Sequence, residues 1–433
     1  MINFLKKIVE NIPFSIGSKL VFVPFKYRLG TAYTDFVKEQ IIYDNLNQKE
    51  KESFVVNRFS KIFEYAKSNF PFYEELYKKH NVYNLKILTF EDIKKVPIIS
   101  KQDLRPFVDN FKGALKINTG GTSGEPFSFY VDKNAFAREW SHMHAIWAKK
   151  GYSQKDLKLT LRGKDLGNKN IQYNPVHNEF IINTYKSVVS FKEEFFKLVY
   201  KRNIKYIHGY PSAIYNFLKD LDTVITAEEK EFFNNKIKAC FLGSEFPTPI
   251  IKKYLSDIWE LDYISWYGHS EMCILAHDEF KTNTYVPYNT YGYTEVTGNK
   301  LIGTSYYNLD MPLIRYDTGD IVFAKYYDSG MLENFTITQG REGEFIFDNE
   351  GNKIPLTALI FGRHHRAFDL VDFIQVKQDD ETKEVIFFLV SKNEKLLNDR
   401  ELLNLDNINL DFEIKHITKP YITKAGKVKL KIE

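Results

Sequence analysis

Along residues 54–80 the positions Phe59, Phe63, Ala66, Phe70, Phe72, Tyr73, Leu76 and Tyr77 fall mostly three or four apart. That spacing stacks side chains on one helical face, and Pro71 breaks the run. Residues 88–104 predict two short helices, the first capped by Thr89 and ended by Pro97, the second capped by Ser100. Residues 128–131 alternate like a strand, and 133–150 form an amphipathic helix opened by Asp132. A buried strand follows at 157–161, and the polar stretch 162–178, with Gly163, Gly167 and Pro175, reads as loop. Helix 191–202, strand 206–208, helix 212–221, strand 236–242, helix 249–259 and strand 261–266 then alternate in the manner of parallel α/β layers. Ligands of such sheets gather at the carboxyl ends of strands, where residues 243–245 and 267–271 fall. From residue 284 the pattern changes to short β segments at 290–296, 300–306, 313–316 and 321–324, predicting an antiparallel sheet or open barrel. Residues 340–351 are turn-rich and suit a linker. The last stretch alternates strand and helix again and ends in a basic loop at 423–431.

A chain of 433 residues exceeds what one core usually serves, so two domains are expected, residues 1–340 and 341–433. The 60 basic and 56 acidic residues nearly cancel to a formal +4, which leaves no field to attract nucleic acid. Cys240 and Cys273 belong to no C-x-x-C pair, so a reducing, cytoplasmic compartment fits. Residues 1–30 mix apolar clusters with Lys6, Lys7, Lys19, Lys26 and Arg28, but Glu10, Asn11, Pro13 and Lys19 interrupt them well short of the roughly 20 residues of a membrane span. Two readings stand, a helix and strand packed on the body, or association with the surface of the inner membrane.

The candidate chemistry centres on residues 118–127, N-T-G-G-T-S-G-E-P-F. Gly120, Gly121 and Gly124 let backbone amides approach an anion, while Thr119, Thr122 and Ser123 add short hydroxyl donors. No Lys follows the last glycine, so this is not the common P-loop. Four later segments supply complementary groups. Y-G-H-S-E, residues 267–271, offers the Tyr267 ring for a base and the Glu271 carboxylate for Mg²⁺; I-R-Y-D-T-G-D ends in Asp320, suited to ribose hydroxyls. Gly340 and Arg341 offer a guanidinium, and T-K-A-G-K offers Lys427 on a glycine loop. Singly, each has a plainer explanation: Asp320 as a turn residue, Glu271 as a helix cap, Lys427 as a solvated charge.

As an ordered set they resemble the adenylate-forming enzymes, whose motifs run T/S-G-T-T-G-x-P, Y-G-x-T-E, Y-x-T-G-D, G-R and a terminal G-K. Within that superfamily the chain is most similar to phenylacetate-coenzyme A ligases and to the CapK-like proteins of capsular polysaccharide loci. The segments S-N-F-P-F-Y at 68–73, V-P-I-I-S-K at 96–101, H-G-Y-P-S at 208–212 and G-S-E-F-P at 243–247 carry that likeness. The resemblance implies an α/β fold with a large amino-terminal domain of layered sheets and a distorted β-barrel, and a small mobile α/β carboxyl-terminal domain. It implies ATP, Mg²⁺ and a carboxylic acid as ligands, with CoA or a sugar as acyl acceptor and a place in surface polysaccharide biosynthesis. Thr119, Gly120, Gly121, Ser123 and Gly124 would then embrace the β- and γ-phosphates, and Gly243, Ser244 and Glu245 would border the adenine. Tyr267 and Gly268 would face the base, Ser270 the α-phosphate, and Asp320 with Arg341 the ribose. Lys427, Thr122 and Glu271 would be catalytic, with Glu271 holding Mg²⁺, and His208 and Tyr210 would line the acid pocket. Phe127, where many relatives have Lys, and Glu342-Gly343 at the hinge depart from the pattern. Two alternatives are a catalytically degenerate nucleotide-binding scaffold and a sugar-nucleotide glycosyltransferase; the absence of a D-x-D pair near a strand end counts against the latter.

Overall fold

The computed structural model describes residues 12–24, 26–119, 127–162, 166–184, 186–244, 247, 249–279, 281–337, 345–361, 365–369, 371, 373–390, 400–405, 408–419, 421 and 431–432. The amino-terminal segment makes short helical turns at Phe14–Gly17, Ser18–Phe22 and Lys26–Leu29, with no strand among its described residues; residues 1–11 lie outside the described residues. It nonetheless packs on the body, Phe14 lying 4.8 Å from Tyr173 and 5.4 Å from Phe180 between ring centroids. Among the described residues no helix is long and apolar enough to cross a membrane. Pro71 divides the long helical run into Gln48–Asn69 and Pro71–Lys79, sitting where its missing N–H is not needed. Thr89 and Ser100 cap Phe90–Lys95 and Lys101–Leu104 through reciprocal bonds with Asp92 and Asp103.

Strands β1 (Leu115–Thr119) and β2 (Phe127–Val131) pair antiparallel with Thr119 opposite Phe127, so the two flanks of the glycine-rich stretch are fixed side by side. The ten-stranded main sheet takes up β3 (Leu157–Leu161), β4 (Ile171–Asn174), β5 (Glu179–Ile182), β6 (Ile204–Gly209), β7 (Ala239–Leu242), β8 (Tyr263–Gly268), β9 (Leu275–Asp278) and β10 (Thr284–Pro287). Its centre runs β5-β3-β6-β7-β8, all parallel, with β4 antiparallel to β5 on one side and, on the other, β9 antiparallel to β8 and β10 antiparallel to β9. The strand β4 lies where a loop is expected. Its alternation, Ile171 and Tyr173 against Gln172 and Asn174, is too short to stand out among turn residues.

Successive side chains of a strand face opposite ways, and here both faces are buried. Tyr206, Ala239, Phe241 and Ile264 enter one core, which includes residues of the helices Gln48–Asn69 and Ala135–Ala148. Ile207, Cys240, Leu242 and Tyr263 enter another, with residues of Lys192–Lys201, Pro211–Asp222 and Ala227–Lys236. Both cysteines are buried and unpaired.

A three-stranded antiparallel sheet follows, β11 (Gly292–Thr297), β12 (Lys300–Ser305) and β13 (Tyr316–Ile321), and then β14 (Phe323–Tyr326) and β15 (Leu332–Thr336) extend the main sheet beyond β10. The strand expected at 313–316 begins only at Tyr316, because Arg315 has a φ of +49° and interrupts the extended backbone. Towards the carboxyl end, β16 (Phe345–Phe347) and β17 (Lys353–Pro355) form a hairpin before the Leu356–Phe361 helix, and β16 falls inside the stretch expected to be linker. Finally β18 (Phe373–Gln378), β19 (Val385–Val390), β20 (Phe412–Ile417) and β21 (Lys431–Ile432) form a sheet in the order β20-β19-β18-β21. This segment has its own apolar core, built by Ile346, Leu359, Val376, Phe387 and Leu402 among others. The chain is a mixed α/β protein.

The strained Arg315 is held by a buried bidentate pair with Glu295, at 2.7 and 3.0 Å, and by donation to the carbonyls of Lys94 and Val96. Backbone bonds between Ile99 and residues 315 and 317 continue the seam, so the start of β13 is fastened to the segment that leads into Lys101. Replacing Arg315 with Met leaves Glu295 desolvated and unpaired, which costs about 3–5 kcal/mol. Urea unfolding of Arg315→Met is expected to show that loss, and the double variant Arg315→Met/Glu295→Leu to recover much of it.

Candidate functional site

The parallel strands end together, and their carboxyl ends carry the predicted residues. A Cβ on Gly243 would lie 2.0 Å from Trp266 Cζ2, so only glycine lets the chain leave β7 across that indole. Ser244 follows in the left-handed region, φ +68°, and its Oγ accepts a 3.1 Å hydrogen bond from Arg162. The Arg162 guanidinium also sits 5.4 Å from the centroid of the Tyr210 ring. Arg162 therefore joins the ends of β3, β6 and β7. Sequence reading left it in a loop, and the available signal was a cation directly after a buried strand.

His208, at the end of β6, is buried between Trp147 at 4.9 Å and Trp266 at 6.0 Å. Burial, aided by the nearby Arg162 charge, drives its pKa well below the usual imidazole value, so the ring is neutral. Among the described residues its buried Nδ1 has no hydrogen-bond partner. An unsatisfied polar atom of this kind is expected where a ligand completes the wall.

From the end of β8, the Tyr267 hydroxyl donates a 2.6 Å hydrogen bond to Asp320 Oδ2, joining two of the predicted motifs directly. The Tyr267 ring stands edge-on to Phe335, 5.5 Å away. Gly268 and Ser270 are exposed. Glu271 turns inward and is only 6% exposed. Its Oε2 lies 3.1 Å from His269 Nδ1, and Oε1 accepts from the Tyr316 hydroxyl at 3.0 Å and faces Lys101 Nζ at 3.3 Å. His269 Nε2 accepts from the Ile274 amide, which makes Nδ1 the nitrogen that donates to Glu271. Desolvation by itself would raise the Glu271 pKa. The His269 hydrogen bond and the Lys101 charge outweigh it and hold the carboxyl well below the usual range. Glu271 is therefore an ionised hard oxygen donor, the chemistry that suits Mg²⁺. Lys101 closes the quoted V-P-I-I-S-K segment but had no assigned part; only the fold brings it to Glu271.

Tyr267, Gly268, Ser270, Glu271, Asp320, Gly243, Ser244, His208 and Tyr210 are all described, and of Thr119 only the backbone is. Gly120, Gly121, Thr122, Ser123, Gly124, Glu245, Arg341 and Lys427 lie outside the described residues. Among the described residues no group of three or more His, Cys, Asp or Glu could hold a metal, so a divalent ion here would rely on Glu271 together with ligand oxygens.

No family model matches the chain. Among curated proteins it is similar to Protein CapK of Staphylococcus aureus, 23% identical over 462 residues, with 100% of this chain and 99% of that protein covered. Among solved structures it is similar to 2-hydroxyisobutyryl-CoA ligase in complex with 2-HIB-AMP and CoA, 13% identical, covering 89% of this chain and 90% of that one, TM-score 0.49. It is also similar to an acyl acid amido synthetase in complex with 2,4-DB, 13% identical, covering 86% and 89%, TM-score 0.40. The likeness to CapK, which the motifs suggest, is what the curated comparison returns.

The Glu271 pKa is depressed on folding, so its stabilisation is complete above the ordinary carboxylate value of about 4.3 and is lost as the pH falls from there towards the folded value. Glu271→Gln is expected to lower stability by roughly 1.5–3 kcal/mol at pH 7, the range for hydrogen bonds to charged groups. Chemical denaturation at pH 7 and pH 3.5 checks it: the gap between wild type and variant narrows at the lower pH.

Proposed function

We propose that this chain uses ATP to activate a carboxylic acid as an acyl adenylate, releasing pyrophosphate, and then passes the acyl group to a second substrate. The observation that carries the reading is that Tyr267, at the end of β8, bonds Asp320 of β13 while Glu271, from the loop after β8, bonds Tyr316 at the start of β13, beside the end of β7 where Gly243 and Ser244 stand. The order of the motifs and the full-length similarity to Protein CapK support it.

In this reading Asp320 receives the ribose hydroxyls, with the Tyr267 hydroxyl fixing the rotation of its carboxylate and Arg341 adding a cation. Gly243, Ser244 and Glu245 border the adenine, and Tyr267 offers its ring. Backbone amides of residues 119–124 and the hydroxyls of Thr119, Thr122 and Ser123 cradle the β- and γ-phosphates, while Ser270 faces the α-phosphate. Glu271 would hold Mg²⁺, which supplies positive charge to the phosphate oxygens, and Lys101 would yield its place at Oε1. The acid's oxygen attacks the α-phosphorus: an O–P bond forms, the α–β anhydride breaks and pyrophosphate leaves. Lys427 bridges the two anions and offsets their repulsion. A thiol, amine or hydroxyl then attacks the acyl carbon, the bond to the phosphate oxygen breaks, AMP leaves and the acceptor's proton passes to solvent.

Residues 341–433 act as a mobile domain that carries Arg341 and Lys427 between the two half-reactions. CoA is one acceptor; the resemblance to CapK-like proteins favours an amino-sugar or sugar hydroxyl in surface polysaccharide assembly. Such substrates place the protein in the cytoplasm. Phe22 and Tyr27, 71% and 72% exposed beside Lys19 and Lys26, form its contact with the inner membrane. Vesicles containing phosphatidylglycerol should sediment the wild type, and Phe22→Glu/Tyr27→Glu should stay in the supernatant.

The central test is ATP–pyrophosphate exchange across aryl, short-chain, hydroxy and amino acids. Lys427→Ala should lower exchange about a hundred- to thousand-fold while ATP still binds in equilibrium dialysis. Wild-type protein that binds ATP and exchanges with none of the acids would leave only the degenerate scaffold.

A further inference from the structure

The helix Ala135–Ala148 lies along the main sheet, and its aromatic contacts give its direction. Tyr152, just past its end, packs on Tyr206 and Phe241 at 5.3 and 5.5 Å. Trp147 stacks on Phe241 at 4.8 Å and also reaches His208 at 4.9 Å and Trp266 at 6.2 Å. Walking back along the helix therefore moves from the start of β6 towards the carboxyl ends of the strands. Glu139 lies a further roughly 12 Å along the helix at 1.5 Å per residue. That carries it towards the end of the sheet where Arg162 and Ser244 stand, and its carboxyl senses the charges of Arg138 and Arg162.

Glu139 is unlike the other enclosed acids of this chain. Glu179 faces Lys158, Glu271 faces Lys101 and His269, and Glu295 is paired with Arg315. Among the described residues the hydrogen-bond donor to Glu139 is the neutral Tyr291 hydroxyl, and no cation contacts it. The cations around it have other bonds: Arg138 donates to Asp132 at 3.1 Å and Arg162 to Ser244. Burial accordingly raises the Glu139 pKa, although the side chain keeps some accessible surface. A carboxyl that is deeply surrounded, still reachable and, among the described residues, without a contacting counter-charge has capacity for one more donor.

We infer that the acid activated at this site carries a hydrogen-bond donor of its own, an ammonium or a hydroxyl, and that Glu139 receives it. The inference rests on the acid-activating reading above and specifies its substrate class. Amino and hydroxy acids are selected. Plain aryl or alkyl acids leave the carboxyl unmatched, and dicarboxylic acids bring a like charge against it.

The test compares acids of one carbon skeleton that differ only in a hydrogen, hydroxyl or amino substituent. Full-length wild type and Glu139→Gln, which keeps the Tyr291 contact, are both assayed. Pyrophosphate exchange should favour a donor-bearing acid by roughly ten- to a hundred-fold in kcat/KM, and the ratio should collapse towards one in the variant. The arm that wins identifies ammonium or hydroxyl. Calorimetric binding of the same acids, with a non-hydrolysable ATP analogue present, reads the same ratio without turnover. A chain that fails to exchange but binds donor-bearing acids in a Glu139-dependent way sinks the catalytic reading alone. Preference for the unsubstituted acid, or a ratio unchanged in Glu139→Gln in the binding assay, overturns this inference.

Discussion

A carboxylate removed from water either finds donors or gives up its charge, and the architecture of this site turns on that condition at Glu271. His269, Tyr316 and Lys101 meet it from the loop after β8, the start of β13 and the helix after the 94–99 seam. One residue before Tyr316, Arg315 meets the same condition for Glu295 while fastening the chain to residues 94 and 96. Two buried acids thus fix adjoining residues of one strand start. Asp320, further along β13, is thereby brought within 2.6 Å of the Tyr267 hydroxyl. Electrostatics here act as a positioning device, since the same bonds that keep Glu271 ionised also set where its neighbours stand.

The parallel sheet supplies the second constraint. With both faces covered by apolar side chains, its open chemistry is confined to strand ends. Aromatic packing sharpens that confinement. The indole of Trp266 requires glycine at position 243, and Trp147 with Trp266 encloses His208 tightly enough to keep the imidazole neutral. Gly243 and Ser244 on one strand end and His208 and Tyr210 on the next are thereby neighbours for one reason, because they leave the same sheet at the same end.

Charge is distributed unevenly around this end. Glu271 has donors at both oxygens, whereas Glu139 of the helix Ala135–Ala148 has, among the described residues, a single neutral one. The contrast separates a carboxylate that organises the protein from one that faces outward to a small molecule. It also explains why Arg162, committed to Ser244 and Tyr210, shapes the cleft without neutralising Glu139.

By itself the sequence determined the local grammar. Pro71, Thr89 and Ser100 mark helix ends through caps and missing donors that act within a few residues, and the unbroken apolar run from Ala239 to Leu242 suits a strand buried on both sides. It also named Tyr267, Glu271 and Asp320, because their neighbours form compact motifs. The short strand β4 and the late start of β13 were hidden, the first by its four-residue length and the second by a left-handed Arg315 that no spacing rule announces. Only the tertiary structure decided that Lys101 faces Glu271, that Arg162 spans three strand ends and that the Tyr267 hydroxyl serves Asp320. The physical reason is that a side chain's partner across a fold depends on sheet order and register, which combine residues far apart in sequence, whereas caps and periodicity depend on the neighbours alone.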